Sequence, residues 1–273
     1  MIGRILNQAS GFLRDLGNYP CFRCDHNKSG FCIYRGRKCA NQSVRYLGVY
    51  RDFGSASAAL PTGQLHGFNS MSLVENLADH FAPFNPSDYP ILLRLAQILR
   101  PGDTVFDLGG GSGQSYYAYG EFIDFPPDLR WMVCDVEAFT ESGKKLAHER
   151  GAAPLAFTNN WQDADGAPVY LTNGTLQYLE PELSEILSNL SKRPKYVLVN
   201  RIPAYDGPSY CTIQRGLRSY SPYKIINIGE FVRGMEQLGY KKMDQWSLPR
   251  GLRVPFHPER VVPAYQGFYF ILR

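Results

Sequence analysis

The chain has 273 residues, 44% of them hydrophobic and 20% charged, and its formal net charge is +4. This composition excludes a disordered chain, and the small positive charge does not indicate nucleic-acid binding, although it is compatible with an anionic small molecule. No apolar run approaches the ~20 residues that cross a membrane, and polar residues interrupt residues 1–19 too often for a secretory signal. We therefore expect a folded cytoplasmic protein without a membrane span.

The first segment, residues 1–16, places its apolar side chains at helical spacing. An amphipathic helix of this kind packs against its own chain or against a second copy more often than it lies on a membrane surface. A homo-oligomer is therefore compatible with the sequence.

Residues 20–40 contain four of the six cysteines, in the spacing C-x2-C-x7-C-x6-C, and few apolar side chains that could form a core. A Cys-x-x-Cys turn is typical of half a zinc site, and four thiolates complete a tetrahedral site. We predict a zinc ion here, with Asp25 or His26 as substitute ligands. An iron–sulfur cluster and unligated cysteines are the alternatives, since a cytosolic location disfavours disulfides. The predicted ligands are Cys21, Cys24, Cys32 and Cys39.

Between residues 46 and 102 the sequence predicts a helical cap that covers a ligand site. Helical patterns occur at 55–60, 72–81 and 90–99, and the last one ends at a Pro-Gly stop signal. The chain thus divides into an N-terminal helix and cysteine-rich segment (1–45), a helical cap (46–102) and a larger α/β part (103–273).

From residue 103 onward, apolar strand-like runs alternate with helical segments, which predicts a parallel sheet with helices on both faces. The last two runs have only an irregular insertion between them and must pair antiparallel. The predicted strands are 104–108, 131–135, 155–158, 169–172, 196–200, 241–246 and 265–272. The predicted helices are 114–122, 137–150, 180–190 and 228–238. Five parallel strands and a C-terminal antiparallel hairpin form a seven-stranded α/β sheet.

A glycine-rich turn follows the first of these strands. Asp107 lies two residues before Gly109, and Gly111 and Gly113 follow at alternate positions. Glycine permits positive φ and removes the Cβ atoms that would hold a ligand off the backbone, and the next helix offers unpaired N–H groups. The spacing does not fit the G-x-G-x-x-G of nicotinamide enzymes in this register. The turn predicts a nucleoside ligand, whose ribose Asp135 would bind unless it merely caps a helix.

Several stretches resemble a family of bacterial class I methyltransferases that depend on S-adenosylmethionine (SAM). The resemblance covers residues 46–273 and leaves the cysteine segment out. The matching stretches are Gly48-Val49-Tyr50-Arg51-Asp52-Phe53, Phe106-Asp107-Leu108-Gly109-Gly110 with Ser115-Tyr116-Tyr117, Leu176-Gln177-Tyr178-Leu179, Asn200-Arg201-Ile202-Pro203 with Asp206-Gly207, Thr212-Ile213-Gln214 and Pro255-Phe256-His257-Pro258-Glu259-Arg260.

This resemblance implies that Asp107 orders the glycine turn and meets the methionine amine of SAM. It also places Asn160 and Trp161 where such folds hold adenine, unless they form an ordinary turn with a core tryptophan, and it places Asn173 beside the sulfonium. The cofactor-binding residues are then Asp107, Gly109, Gly110, Gly111, Gly113, Tyr116, Asp135, Asn160, Trp161 and Asn173.

Methyl transfer also needs the acceptor aligned and, for a hydroxyl, a base. His257 carries the side chain that most often serves as a general base, and Asp206 follows a strand at the edge where ligands bind in open α/β sheets. Gln177 could line the transfer path, whereas Arg201 could hold an anionic acceptor or pair with a helix acid. We predict catalytic roles for His257, Asp206 and Gln177, with packing, a cap or a turn as the ordinary alternatives.

The sequence therefore predicts a SAM-dependent methyltransferase that acts on a small biosynthetic acceptor such as a sugar, a nucleotide-sugar or a secondary metabolite. Alternatives are an NAD(P)-dependent oxidoreductase and a non-catalytic methyltransferase-like module that binds a partner through its cysteine-rich segment. Tyr220 and Lys224 have the Tyr-x-x-x-Lys spacing of short-chain dehydrogenases, but Pro222 between them opposes the helix that this pair requires.

Overall fold

The computed structural model describes residues 31–32, 37–38, 45–71, 74, 85–216 and 219–273. In chain order its strands are β1 (Phe31–Cys32), β2 (Arg37–Lys38), β3 (Tyr46–Tyr50), β4 (Leu65–His66), β5 (Thr104–Leu108), β6 (Arg130–Cys134), β7 (Leu155–Thr158), β8 (Val169–Asn173), β9 (Tyr196–Ile202), β10 (Ala204–Tyr205), β11 (Tyr210–Arg215), β12 (Ser219–Asn227), β13 (Tyr240–Leu248) and β14 (Tyr265–Leu272). The helices are α1 (Phe53–Ala58), α2 (Tyr89–Ile98), α3 (Gln114–Gly120), α4 (Glu137–Glu149), α5 (Leu183–Ser188) and α6 (Ile228–Gln237). Short 3-10 helices occur at Pro86–Asp88, Trp161–Ala164, Leu176–Tyr178 and Pro258–Arg260.

A seven-stranded sheet forms the centre, in the order β13-β14-β9-β8-β5-β6-β7. Strands β5 to β9 pair in parallel, and β14 lies antiparallel between β9 and β13. This confirms the predicted sheet of five parallel strands closed by an antiparallel pair. Because Leu108 lies opposite both Cys134 and Thr172, the carboxyl ends of β5, β6 and β8 meet at one edge.

Helices cover both faces of this sheet, as the regular β/α alternation predicts. On one face, α5 and α6 bury Leu183, Ile186 and Met235 against the strands. On the other face, α2 and α3 bury residues that include Leu95 and Tyr119. Residues of β5 alternate between these two cores, and the side chains of Val105 and Asp107 face α2 and α3.

A second sheet has the order β10-β12-β11-β3, and β4 also pairs with β12. Its strands come from residues 46–66 and 204–227. The first part of the expected helical cap is therefore not helical, because residues 46–50 form β3, which pairs with β11 about 160 residues later in the chain. A chain of buried hydroxyl groups joins this sheet to the main one. Tyr265 of β14 bonds Tyr46 at 3.0 Å and Tyr223 at 2.7 Å.

Strand β12 confirms that Tyr220 and Lys224 do not lie on a helix. Pro222 is tolerated there because β4 pairs only at residues 219–220 and β10 only at 226–227, which leaves residue 222 without a strand neighbour on that side among the described residues. Lys224 is buried and donates to Glu182 at 2.7 Å, which gives it a structural role.

A glycine in β14 admits a large side chain from the next strand. Trp246 lies opposite Gly267, and its indole crosses β14 to donate from Nε1 to Asn200 Oδ1 of β9 at 3.0 Å. A Cβ atom at residue 267 would lie 2.1 Å from the indole Cε2. The absence of a side chain at Gly267 therefore makes this contact possible.

We expect Gly267→Ala to expel the indole and to destabilise the fold by about 1–3 kcal/mol, the range for overpacking. Denaturant unfolding, followed by tryptophan fluorescence, measures both effects. Gly54→Ala is the matched control, because a Cβ atom there has its nearest neighbour at 3.7 Å and alanine favours a helix. Equal stability of the two variants would contradict the proposed constraint.

Some predictions fall on residues that are not described. The helices at 1–16 and 72–81 and the cysteines Cys21, Cys24 and Cys39 lie outside the described residues, apart from the single position 74 within the second helix. For Cys32 the backbone alone is described, in the antiparallel pair of β1 and β2. No helix in the described part of the chain is long and apolar enough to cross a membrane.

Candidate functional site

The glycine turn between β5 and α3 follows a path that side chains would block. Gly109, Gly111 and Gly113 have φ values of +74°, +60° and +96°, a region that costs other residues steric strain. A Cβ atom at residue 109 would lie 1.9 Å from Thr175 Oγ1. Gly113 is also the N-cap of α3, so the turn delivers the chain directly into that helix.

Asp107 lies beneath this turn with 0% of its surface exposed. Its Oδ2 accepts a hydrogen bond from Trp131 Nε1 at 3.1 Å, and a Cβ atom on Gly110 would lie 2.5 Å from the same oxygen. Oδ1 has no donor among the described residues. Burial, with a smaller contribution from the charge of Asp135, raises the pKa of Asp107 to about 7. The site therefore contains a desolvated carboxyl group with one free oxygen.

Asp135 holds the same turn from the end of β6. Its Oδ2 accepts from the backbone N–H of Gly111 at 2.8 Å, and its Oδ1 accepts from Val136 at 2.7 Å. Burial raises the pKa of this carboxyl group, although both hydrogen bonds oppose the shift. The carboxylate thus lies beside the glycine turn. It does not cap α4, because the N-cap of that helix is Val136, without a side-chain cap hydrogen bond.

Residues of the segment before α2 contact the first turn of α4. Asn69 Oδ1 accepts from the backbone N–H of Ala138, in the first turn of α4, at 3.0 Å. Phe68 and Val74 pack with Ala138 and Phe139. Phe68, Asn69 and Val74 therefore contact the helix that follows Asp135.

The residues predicted for adenine lie after β7. Asn160 is exposed and caps the 3-10 helix Trp161–Ala164 by accepting from Gln162, and Trp161 packs partly buried against the core. These contacts match the ordinary alternative of a turn with a core tryptophan. Asn159 instead contacts the Asp135 segment, since its Nδ2 donates to the Asp135 carbonyl at 2.7 Å.

A buried ion pair lies at the carboxyl ends of β8 and β9. Asp88 lies at the start of α2 and is 5% exposed. Both of its carboxylate oxygens accept hydrogen bonds from Arg201 Nη2, at 2.6 and 2.5 Å. Asn200 donates to the same carboxylate at 2.9 Å. Arg201 has φ +58°, a conformation that a non-glycine residue adopts only when its surroundings compensate for the strain. Of the two roles considered for Arg201, pairing with a helix acid is therefore the one observed.

Asn173, the last residue of β8, contacts the same group of side chains. We call Asp88, Tyr119, Asn173, Asn200 and Arg201 the polar layer. Its Nδ2 donates to Asp88 Oδ1 at 3.3 Å and to the hydroxyl of Tyr119 at 3.1 Å. Its Oδ1 is buried and has no donor among the described residues. Asp107, Asn173 and Asn200 occupy the same face of the sheet, because Asp107 is opposite Leu171 and Asn173 opposite Asn200.

Gln177 lies four residues later, in the 3-10 helix Leu176–Tyr178, and is 3% exposed. Its Nε2 donates to the Gly174 carbonyl at 2.6 Å, while its Oε1 also has no donor among the described residues. Among the described residues, the strand ends thus present three buried carboxyl or amide oxygens without donors, one each from Asp107, Asn173 and Gln177.

The other predicted residues lie elsewhere. His257 pairs with Glu259 at 3.3 Å in the insertion between β13 and β14, and this insertion contacts β11 through the Tyr210 hydroxyl and the Arg260 carbonyl. Asp206 is exposed in the turn after β10. Tyr116 stacks on Phe125, with ring centroids 5.5 Å apart, within the aromatic core. The structure brings neither base candidate into the buried polar layer.

Sequence reasoning missed Asp88, Tyr119 and Asn200 as members of this layer. Asp88 stands in an Asn-Pro-Ser-Asp stretch that resembles an ordinary helix start, and Asn85 does cap the following 3-10 helix. Its contact with Arg201 spans 113 residues. The sequence signal was the stretch Asn200-Arg201, in which only Arg201 is given a role.

Comparison with known proteins gives the fold. No protein-family model and no curated protein matches the chain. Among solved structures the chain is similar to a geranyl diphosphate methyltransferase in complex with SAM, at 13% identity and a TM-score of 0.50, over 84% of this chain and 98% of that one. It is also similar to a 1,6-didemethyltoxoflavin-N1-methyltransferase from Burkholderia thailandensis (15% identity, TM-score 0.46, 73% and 87% covered) and a SAM-dependent methyltransferase from Aquifex aeolicus (14%, 0.47, 75% and 99%). The fold is that of the class I methyltransferases.

Proposed function

We propose that the chain is a SAM-dependent methyltransferase and that residues 103–273 bind the cofactor beneath the segment 46–102. The observation that carries this proposal is the buried Asp107 carboxyl group. It has no cationic partner among the described residues, and one of its oxygens has no donor there. SAM supplies an activated methyl group on a sulfonium, together with an ammonium group that satisfies such a carboxylate.

The acceptor-rich site fits this cofactor. Asp107 would take the ammonium group, Asp135 the ribose hydroxyls after exchanging its bond to Gly111, and Asn159 or Asn160 the adenine edge. The positive-φ glycines bring backbone N–H groups close to the ligand without interference from side chains. The stretches at residues 176–179, 212–214 and 255–260, which resemble class I methyltransferases, support the same proposal.

The NAD(P) alternative is disfavoured by charge. A dinucleotide would place its diphosphate against the first glycine turn, and the Asp107 carboxyl group lies directly beneath Gly110 in that turn. An anion next to a desolvated carboxylate is repelled, whereas a cation is attracted. The free oxygen of Asp107 therefore favours SAM over a diphosphate.

Calorimetric titration tests the choice of cofactor. We expect the purified protein to bind S-adenosylhomocysteine (SAH) with micromolar affinity and to show no heat with NAD(P) at the same concentrations. Micromolar binding of NAD(P) without any binding of SAH would overturn the proposal. Failure of both to bind would favour the non-catalytic module, which would then depend on its cysteine-rich segment.

The acceptor is proposed to be a small biosynthetic molecule, such as a sugar, a nucleotide-sugar or a secondary metabolite. The burial of the polar side chains at the carboxyl ends of β8 and β9 supports a small acceptor over a macromolecule. His257, Asp206 and Gln177 remain the proposed catalytic residues, of which Gln177 alone lies at the buried strand ends.

We also propose that the protein is cytoplasmic and forms a homo-oligomer. Cell fractionation tests the compartment, and gel filtration tests the oligomeric state.

We further propose that the cysteine segment holds a structural zinc ion through Cys21, Cys24, Cys32 and Cys39. Among the described residues no group of three or more His, Cys, Asp or Glu side chains is placed to hold a metal, and the described cysteines Cys134 and Cys211 are buried and unpaired. We expect one equivalent of zinc by elemental analysis, lost in the Cys21→Ser, Cys24→Ser variant. Retention of the metal in that variant, or less than half an equivalent in the wild type, would refute the site.

A further inference from the structure

Two amide side chains at the end of β8 are fixed in orientation by their nitrogens. Asn173 Nδ2 donates to the Asp88 carboxylate and the Tyr119 hydroxyl, and Gln177 Nε2 donates to the Gly174 carbonyl. Turning either amide over would place its oxygen against an oxygen that cannot donate, the Asp88 carboxylate or the Gly174 carbonyl. Asn173 Oδ1 and Gln177 Oε1 must therefore point away from these partners.

Both oxygens are buried and have no donor among the described residues. A buried acceptor that has lost its water is costly unless a donor reaches it. Amide oxygens accept hydrogen bonds but do not take up protons near neutral pH, so this pair suits a group that brings its own N–H bonds. Asn173 ends β8 and Gln177 follows it in the next 3-10 helix, at the strand-end edge where the Asp107 carboxyl group also lies.

The positions of the two predicted bases, His257 and Asp206, disfavour a hydroxyl acceptor. A hydroxyl acceptor must lose its proton as it attacks, but His257 is engaged with Glu259 in the insertion and Asp206 is exposed. Asp107 is assigned to the ammonium group of the cofactor. A neutral amine needs no base before attack, because its lone pair is free while its hydrogens remain bound to acceptors.

We propose that the methyl acceptor is a primary or secondary amine, whose N–H groups are held by Asn173 Oδ1 and Gln177 Oε1. This inference rests on the proposed function. The amine lone pair forms the new N–C bond while the methyl carbon–sulfur bond breaks, and its electron pair stays on sulfur, which becomes a thioether. The methylated nitrogen then releases its extra proton to solvent.

Sinefungin provides a direct probe, because it is a SAM analogue with an amine where SAM has its transferable methyl group. We expect the wild-type protein to bind sinefungin at least about tenfold more tightly than SAH, since a charged donor gains two acceptors. In Gln177→Met the ratio should fall to about threefold or less.

The control is Gln97→Met, which changes an exposed glutamine on α2 whose contact is with Arg94 and should leave the ratio unchanged. If neither ligand binds to the wild type, the proposed function fails. If SAH binds and sinefungin is not preferred, or if Gln177→Met keeps the full preference, the function stands and the amine site is refuted. Thermal unfolding of each variant with SAH establishes that it is folded.

The product identifies the acceptor atom independently. The protein is incubated with SAM carrying a 13C-methyl group and with a small-molecule extract of its native cells, and the labelled methyl product is examined by NMR. The 13C shift separates methyl groups on nitrogen, oxygen and carbon. An N-methyl product supports the proposal, and an O-methyl or C-methyl product overturns it.

Discussion

Asp107→Asn is expected to lower the affinity for SAH by at least about 30-fold while raising the stability of the ligand-free protein. The loss of affinity follows because truncating one partner of a buried charged pair costs about 2–5 kcal/mol. The gain in stability follows because asparagine removes a desolvated carboxyl group that has no cationic partner among the described residues. Opposite signs for binding and stability are the signature of a side chain whose partner is the ligand.

The same carboxyl group makes both quantities depend on pH. Its pKa is raised to about 7 in the folded protein from 3.8, so the folded state binds more protons than the unfolded one between these values. Stability of the free protein therefore falls as pH rises from about 4 to 7. SAH affinity rises over this range, by up to about tenfold per pH unit well below pH 7 and less steeply as the pH approaches 7, because the ionised form receives the ammonium group.

Thermal unfolding and calorimetry from pH 5 to about 7.5 measure these effects, and Asp107→Asn should remove both slopes. Asp124→Asn, an exposed aspartate after α3, is the matched control and should behave as the wild type. A variant at residue 107 that lost stability and kept its affinity would show that the carboxyl group is structural only.

Arg201→Ala is expected to destabilise the protein by about 3–5 kcal/mol, because it leaves the Asp88 charge buried without its partner. For a chain of this size the unfolding midpoint should fall by roughly 10 °C. Lys144→Ala is the control. Lys144 pairs with Glu141 where both side chains are more than half exposed, and such pairs contribute only about 0–1 kcal/mol.

A double-mutant cycle separates the charge from the backbone strain. Adding Asp88→Asn to Arg201→Ala removes the unpaired charge and should recover about half of the lost stability. Arg201→Gly relieves the positive φ, worth about 1 kcal/mol, and should be less destabilising than Arg201→Ala. Additive effects of the two single changes would show that Asp88 and Arg201 do not act as a pair.

The main sheet could be predicted because its information is local. Each parallel strand is a short apolar run followed by a helix, and the glycine turn after Asp107 marks where the series begins. The extension of β9 to Ile202 and of β13 to Leu248 was missed, since strand ends depend on partners that periodicity does not show.

The second sheet could not be predicted, because its pairings connect residues that are distant in sequence. Nothing near Tyr46 indicates that it lies opposite Gln214. Pro222 argued against a helix but did not indicate β12, where the gap between β4 and β10 accommodates it. The polar layer shows the same limit. Asp107, Asn173 and Gln177 lie at or just after strand ends and could be named from sequence. Asp88 could not, because it joins the polar layer only through its contact with Arg201, which is 113 residues away in sequence.

The position of β3 at the edge of the second sheet determines where the chain can be shortened. Strand β11 is buried along residues 210–214, and β3 occupies its outer hydrogen-bonding side. A truncation that begins at residue 45 keeps this edge paired, whereas one that begins at residue 52 opens a row of backbone donors and acceptors to other molecules. Light scattering on the two shortened proteins should show aggregation only in the second, so residue 45 sets the limit for separating the cysteine-rich segment from the rest of the protein.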